Sequence, residues 1–590
     1  MNSYILSYYK KYLALFIIGI VMNVMVDAVQ LYTPEFLGEI VNIVGSGADA
    51  GFNDIKDIIY KIMIIAVVLM VGRAGMRYAL FYASGKIEAS IRHDMFLKTE
   101  RLSQRYYHEN KVGTIMSWFS TDLESVEEFV GWGTIMVVDA IFLSLLSIYK
   151  MAKLDYVLTL IAIIPMIALV IWGRMVEKYM SDKWDERQKE FDKLYDFTQE
   201  IFTGIRVIKA FVKEAQEIKA FRKVAKSNAD KNLEFSRFSI IFDVCIEVII
   251  GITMALILGL GSYFVYCYVS SNPVVVLGHV IALDAGQVTT FIGYADTLIW
   301  PMIAMGQIVQ MYSRFKTSLK RIGDFMAEEE EIRDDKDAIV LSDCRGKITF
   351  KDYSFNYPDT DVHSLNNISF EIQPGEMVGV VGKIGSGKTT LVNSLLHLYN
   401  VEKNKIFIDD IDIMDINIES LRDNIAYVPQ DNFLFSDNIR NNIAFSNKKA
   451  DIDQIKSAAA FAVVDENING FAEGYNTITG ERGVTLSGGQ KQRISIARAY
   501  IKDAPIMIMD DSVSAVDVKT EEAILANINE KRKGKTTIII ASRVSTVAHM
   551  DKILVLNEGC VEAFDTPKRL LKISPTYKKM VKLQKLESEL

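Results

Sequence analysis

Apolar residues crowd the first half of the chain and thin out after Met326. Up to that point about six runs stay apolar for on the order of 20 residues, the length of a helix that crosses a bilayer. They lie at Tyr12–Leu31, Ile58–Tyr82, Thr134–Met151, Tyr156–Met175, Ile240–Val269 and Val276–Ile308. Two stretches between them, Gly85–Trp132 and Arg174–Arg237, are too long for loops and too charged for lipid. Their patterns are helical, so the spans are expected to continue as helices well beyond the bilayer. A charged stretch, Ala327–Lys336 (AEEEEIRDDK), follows and reads as a solvated linker. From Lys347 short β-rich runs alternate with helical ones, as in a soluble α/β domain. The expected fold class is multidomain: an all-α six-helix transmembrane domain over residues 1–326, a linker over 327–346, and an α/β domain over 347–590.

An even number of spans puts both termini on one side, and Lys and Arg choose that side. Gly85–Trp132 carries Lys86, Arg92, Lys98, Arg101, Arg105 and Lys111, and Arg174–Arg237 is richer still. Both are expected to be cytoplasmic. Gly45–Asp57 holds a single lysine and Ser270–Gln287 has neither lysine nor arginine, as suits the outer face. The Lys150–Asp155 turn, with two lysines, fits less well. A multi-pass protein of the cell membrane with a cytoplasmic α/β domain follows. Half the residues are hydrophobic, the mean hydropathy is +0.16, and the net charge of −8 leaves no footprint for nucleic acid. Cys245, Cys267, Cys344 and Cys560 match no metal or disulfide spacing and read as reduced thiols. The N-terminus lacks a cleavable signal pattern, so its first apolar run reads as a retained span.

Charged residues interrupt the spans at Asp27, Arg73, Arg77, Asp139, Asp243, Glu247 and Asp296. Charge at bilayer depth is costly, so such groups face a cavity or one another. An acidic surplus would suit cationic amphiphiles; internal pairing is the plain alternative. Trp300-Pro301 is placed to kink the last span.

The α/β domain carries the chemistry. Gly382-Lys-Ile-Gly-Ser-Gly-Lys388-Thr389 matches GxxxxGK[ST], between the apolar run Met377–Val381 and the helical Thr390–Leu396. Gly382, Gly385 and Gly387 let backbone N–H groups turn inward around phosphate oxygens, with Ser386 among them, at a helix N-terminus that favours anions. Lys388 can reach the outer phosphates, and Thr389, followed by Thr390, offers a hydroxyl to Mg²⁺. Ile506–Asp510 is an apolar strand ending in a carboxylate, as needed to hold that ion through water. Leu486-Ser-Gly-Gly-Gln490 follows Thr479-Gly-Glu-Arg-Gly483; Ser487, Gly488, Gly489 and Gln490 can present donors to a γ-phosphate. Gln430, after Tyr427-Val-Pro429, sits between the halves of the domain and is a candidate metal and water contact. Tyr357 can stack on adenine, worth about 1–3 kcal/mol by analogy with base stacking.

Phosphate loop, glutamine loop, LSGGQ, Asp-terminated strand and Ser514-Ala-Val-Asp517 occur in the order of an ABC ATPase. The whole chain resembles a type IV ABC exporter half-transporter of the bacterial multidrug kind. The resemblance implies ATP and Mg²⁺ as cofactors and a second half-transporter, with each ATP held between one chain's phosphate loop and the other's LSGGQ. Leu102–Gly113 and Gly204–Phe211 resemble the two intracellular coupling elements, short helices that dock on nucleotide domains near Gln430.

Two departures stand out. The family places Glu after the strand-end Asp, as general base; here Asp511 stands there. Asp is one methylene shorter, roughly 1.5 Å, and a misplacement of about 1 Å can cost on the order of 100-fold in rate. The family also places His after the last strand of the site; here Ser542 stands there, and the nearest histidine is His549. The expectation is an asymmetric pair exporting drugs or other amphiphiles through surrounding lipid. This chain's own site would be slow, and its LSGGQ would complete a competent site on a partner that brings Glu and His. The alternatives are a homodimeric lipid flippase or peptide exporter, and an ATP-gated regulatory membrane subunit.

Overall fold

The computed structural model describes residues 3–45, 52–276, 279–357, 363–480 and 483–589. The chain divides into two compact units, Met1–Lys98 with Gly113–Glu328, and Thr99–Val112 with Glu329–Leu590.

The first unit is helical. Its longest helices are Phe52–Arg101, Tyr156–Thr203, Glu214–Val269 and Ala285–Ala327, of 50, 48, 56 and 43 residues. At about 1.5 Å per residue the first spans about 75 Å, more than twice a bilayer core of about 30 Å, so the helical reading of the charged stretches holds. Four helical stretches, Ser7–Gly45, Val112–Leu154, Glu214–Val269 and Ala285–Ala327, are long and apolar enough to cross a membrane. The expected spans at Ile58–Tyr82 and Tyr156–Met175 lie inside the other two long helices.

The last span starts later than expected. Val275–Val276 (β1) pairs antiparallel with His279–Val280 (β2), and Ile281 N donates to Val274 O at 2.9 Å. Residues 277 and 278 of the expected span lie outside the described residues. The helix begins only at Ala285, where Asp284 and Gln287 form a reciprocal capping box. A run of valines is apolar enough to read as lipid-facing, yet β-branching after Pro273 favours the hairpin. Pro301 lies inside this continuous helix. Lys150, awkward for the orientation rule, pairs with Glu35 at 2.5 Å and lies over the Tyr32 ring, so its charge is answered within the unit.

The second unit holds two sheets. Six strands run in the order β12-β11-β5-β10-β9-β8, with ranges Cys560–Asp565, Lys552–Asn557, Met377–Gly382, Thr536–Ile540, Ile506–Asp510 and Ile425–Val428. All neighbours are parallel except the β11/β12 pair. A smaller antiparallel sheet has the order β4-β3-β6-β7, from Leu365–Ile372, Ile348–Phe355, Ile406–Ile408 and Ile411–Asp412. β9 and β10 are buried at every position, which explains the apolar runs Ile506–Met509 and Ile538–Ile540.

The acidic stretch after Met326 is mostly exposed, as a solvated linker should be, and several of its carboxylates are bonded as well. Glu331 accepts from Ser103 Oγ at 2.8 Å and pairs with Arg105 at 2.5 Å, on either side of the start of the short helix Gln104–Glu109. Asp334 accepts from Ile418 N at 2.7 Å and Asn417 Nδ2 at 2.7 Å; Lys403 bridges Asp335 and Asp415. The run of like charge is visible in sequence, but its partners lie tens of residues away and are not.

Candidate functional site

The strand order places β5, β10, β9 and β8 side by side and parallel, so the loops leaving their carboxyl ends meet along one rim. That rim is where open parallel sheets bind ligands. β5 delivers Lys388, β10 delivers Ser542, β9 delivers Asp510 and Asp511, and β8 delivers Gln430.

Gly385 and Gly387 have φ of +81° and +92°, the left-handed region glycine enters without strain. Gly387 precedes the helix Lys388–Leu395. A Cβ on Gly382 would come within 2.3 Å of Leu556 O, so that position admits only glycine. The Ser386 side chain is buried and its hydroxyl has no hydrogen-bond partner among the described residues. Lys388 Nζ donates to Gly382 O at 3.0 Å and Lys383 O at 2.9 Å. Burial holds its pKa below the usual lysine value, against the opposing pull of Asp510 and Asp511. Thr390 is buried, and its hydroxyl meets Tyr357 OH at 3.1 Å. The half-buried Tyr357 ring packs edge-on against Phe355 and Tyr399. Pro358, beside it, lies outside the described residues.

Asp510 is 1% exposed, and its Oδ2 has no hydrogen-bond partner among the described residues. Burial raises its pKa, the Thr389 hydrogen bond and Lys388 lower it, and Asp511 raises it further. An unpaired buried carboxylate oxygen beside a threonine hydroxyl is the donor chemistry of a hard divalent cation bound together with phosphate. The residues therefore fit Mg²⁺. Asp511 takes a left-handed φ of +43°, its N–H donates to Ile540 O at 3.0 Å, and its Oδ2 accepts from Ser542 Oγ at 3.3 Å. The two departures are thus neighbours. Gln430 lies in an exposed bend just past β8.

Ser487 caps the helix Gly488–Tyr500: its Oγ accepts from Gln490 N at 3.3 Å, and Gln490 Oε1 accepts from Ser487 N at 2.9 Å. Space around Gly488 is open, with no atom within 4 Å of a Cβ placed there; at Gly489 Ala515 O would lie 3.0 Å away. Among the described residues, no side chain of Ser487 or Gln490 bonds to the phosphate loop. Glu481 and Arg482 of the preceding loop lie outside the described residues.

Sequence reasoning missed three supporting groups. Buried Gln492 donates to Asp511 O at 3.2 Å and accepts from Ala515 N at 3.1 Å, fixing the loop after β9 to the LSGGQ helix. An amide on the apolar face of an amphipathic helix was the available signal. Gln584, on the helix Pro575–Glu589, accepts from Val544 N at 2.8 Å and Ser545 N at 3.3 Å, just beyond Ser542. Buried Glu521 accepts from Thr546 in the same segment.

The second coupling element forms the short helix Ile205–Ala210 with no buried residue, and Val207 and Phe211 are 59% and 69% exposed.

Behind the phosphate-loop helix, His397 is 3% exposed and neither ring nitrogen has a hydrogen-bond partner among the described residues. Burial and then Arg422 push its pKa down from 6.5 to about 4. The folded ring stays neutral while the unfolded ring gains a proton below the ordinary value. Stability is therefore whole above pH 6.5 and is lost as pH falls toward 4, by about 3 kcal/mol in all. Its φ is +50°, so His397→Asn is the tolerated neutral replacement. Thermal unfolding of the full chain across that range should show a steeper fall in Tm for wild type than for the variant.

A glycine-rich phosphate loop, a buried strand-end Asp and a helix-capping LSGGQ, joined to a bundle of membrane helices, define a membrane-embedded P-loop nucleotide hydrolase. The family model described as the ABC transporter transmembrane region matches residues 16–302, and the one described as ABC transporter matches 365–514. The "Probable multidrug resistance ABC transporter ATP-binding/permease protein YheI" of Bacillus subtilis is 32% identical over 98% of this chain and 97% of its own length. The "ATP-dependent lipid A-core flippase" of Haemophilus influenzae is 28% identical over 96% of this chain and 94% of its own. A solved bacterial Atm1-family ABC exporter with ATP bound shares the fold, with a TM-score of 0.80 at 24% identity over 96% of this chain and 98% of that one. The chain belongs to the ABC transporter family. It is an ATP-hydrolysing membrane transporter with a cytoplasmic nucleotide-binding domain.

Proposed function

We propose that this chain is the slow-site half of a two-chain exporter of drugs or other amphiphiles. The observation that carries the reading is the Asp511–Ser542 pair. The carboxylate where a base is needed is short, and it is engaged by the hydroxyl that stands where an imidazole is needed. Lys388, Thr389, Asp510 and the phosphate-loop glycines remain, so ATP–Mg²⁺ binds. Thr389 and Asp510, with Gln430, would hold the metal, which supplies charge neutralisation at the phosphates. Tyr357 would meet the adenine. Ser487, Gly488, Gly489 and Gln490 would serve the γ-phosphate bound by a partner that brings Glu and His. The open space at Gly488 and the exposed apolar tip at Val207 and Phe211 support a two-chain assembly. The names of the relatives, drug resistance in one case and lipid translocation in the other, support an amphiphilic cargo.

A homodimeric flippase is the second reading, favoured by the flippase relative; there Asp511 would act as a slow base in two equal sites. The isolated chain separates the two. It is expected to bind ATP–Mg²⁺ yet turn over at least about 100-fold more slowly than the reconstituted pair, the scale of a base misplaced by about 1 Å. Steady-state hydrolysis by partner-free protein is the measurement. Rapid turnover by this chain alone would overturn the asymmetric reading.

A further inference from the structure

Of the seven charged residues that interrupt the spans, two are buried: Asp27 is 4% exposed and Asp139 is 8% exposed. Asp27 lies on the helix Ser3–Gln30, one turn beyond buried Asn23. Asp139 opens a five-residue π-helical turn, Asp139–Leu143, where the backbone ladder is widened. Asn23, one turn before Asp27 on the same helix, reaches Asp139, which brings the two carboxylates into one neighbourhood.

They are not equally provided for. Asn23 Nδ2 donates to Asp139 Oδ1 at 2.8 Å, and Trp300 Nε1 donates to Asp139 Oδ2 at 3.1 Å. Both oxygens of Asp139 therefore receive a neutral donor, which stabilises an anion. Asp27 Oδ2 is buried and has no hydrogen-bond partner among the described residues. Arg73 is the cation in electrostatic range of both carboxylates, from the helix Phe52–Arg101. It sits on an exposed face and donates to Gln30 Oε1 at 3.0 Å. The ionisable groups near Asp27 from the surrounding helices are thus Asp139 and Arg73.

Two ionised carboxylates against one outlying guanidinium would leave an uncompensated buried charge at bilayer depth. Such a charge costs several kcal/mol or is neutralised instead. At 4% exposure Asp27 leaves no room for a bulky cation. A proton fits. We propose that Asp27 is a proton-binding site in the membrane half, its carboxyl group holding one proton while Asn23 and Trp300 hold Asp139 as the anion. The O–H bond forms with a proton taken from water and returns it to water when it breaks. Separation of the helix Ser3–Gln30 from the Asp139 turn would solvate the group and release the proton. Proton occupancy is then linked to conformation, and the linkage is reciprocal. The site does not depend on which chain of the assembly hydrolyses ATP.

The test uses the full chain in lipid nanodiscs, with the proton as the ligand. Infrared spectra at neutral pH should show in wild type a protonated-carboxyl carbonyl band that Asp27→Asn lacks. Asn is a neutral stand-in for the protonated acid, so that variant should assemble and bind nucleotide as wild type does. Asp139→Asn should shrink the band, because removing the repelling charge lets Asp27 ionise. Spectra of wild type and Asp27→Asn that coincide overturn the proposal. A band that persists in Asp27→Asn and vanishes in Asp139→Asn puts the proton on Asp139 and overturns the assignment. Failure of Asp27→Asn to fold where Asp27→Glu folds would mean that charge is required there, and overturns it too.

Discussion

Gly488→Asp in this chain is expected to stop ATP turnover by the assembled transporter almost completely, while Asp511→Asn leaves most of it. In the two-chain assembly proposed above, the two residues lie in one polypeptide but serve different nucleotides. Gly488 opens the helix Gly488–Tyr500 with free space around it, so an aspartate fits without displacing a neighbouring side chain among the described residues. A carboxylate in the first turn of a helix even favours that helix, by about 0.3–1 kcal/mol. Loss of activity therefore comes from what approaches from outside, a γ-phosphate on the partner's phosphate loop. Donors aimed at developing charge are worth about 2.7–4 kcal/mol in comparable oxyanion sites, or about 100- to 1,000-fold in rate. Ser487→Ala is a less clean probe, because its Oγ also caps the helix, and a lost cap costs about 1 kcal/mol of stability by itself. Asp511→Asn removes a poor base from a slow site that carries little flux. Asp511→Glu alone need not make the site fast, since Ser542 still lacks an imidazole. Steady-state ATPase on the reconstituted pair, both variants side by side, decides the matter. Equal and near-complete loss in both would overturn the division of labour and favour two working sites.

Lys388→Ala should cut nucleotide affinity at this chain's own site by about 10- to 100-fold, since a charge-assisted hydrogen bond contributes about 1.5–3 kcal/mol. In the chain as described, Nζ is held by Gly382 O and Lys383 O, so the amine is already posed over the loop before phosphate arrives. The substitution also removes a cation that eases the buried charge of Asp510. Binding of a fluorescent ATP analogue to the isolated chain measures the affinity. The assembled pair should be slowed yet retain hydrolysis at the other site. A fall to background in the pair would mean the two sites are not divided in this way.

The phosphate loop, β9 with its terminal Asp510, and the LSGGQ helix were legible because their chemistry is local. Glycines, a capping serine and an apolar run do their work within ten residues of one another. The shared rim was not legible as geometry: Lys388, Asp510 and Ser542 meet only because β5, β10 and β9 are neighbours, and strand order is not written in any one segment. The start of the last span was misplaced because hydropathy does not separate a β-branched hairpin from a helix end. The acidic stretch after Met326 is exposed as its charge implies, but its bonds were not legible, because Glu331 finds Arg105 more than two hundred residues upstream. His397 gave no signal, since a lone histidine in an apolar stretch reads the same whether or not its nitrogens find partners. The contact between Ser542 and Asp511 is the most informative outcome, because the two departures were noticed separately and turn out to touch.

The short helix Ile205–Ala210, with Phe202 and Phe211 at 71% and 69% exposed, has one more consequence. A chain synthesised without its counterpart shows the cytoplasm a greasy knob at the tip of two long helices, the kind of surface that chaperones and proteases recognise in an incomplete assembly. The lifetime of each copy is then tied to the supply of the other. In the two-chain assembly proposed above, expression of the two subunits would then be self-balancing, with excess copies cleared rather than accumulating as idle ATP-binding membrane proteins.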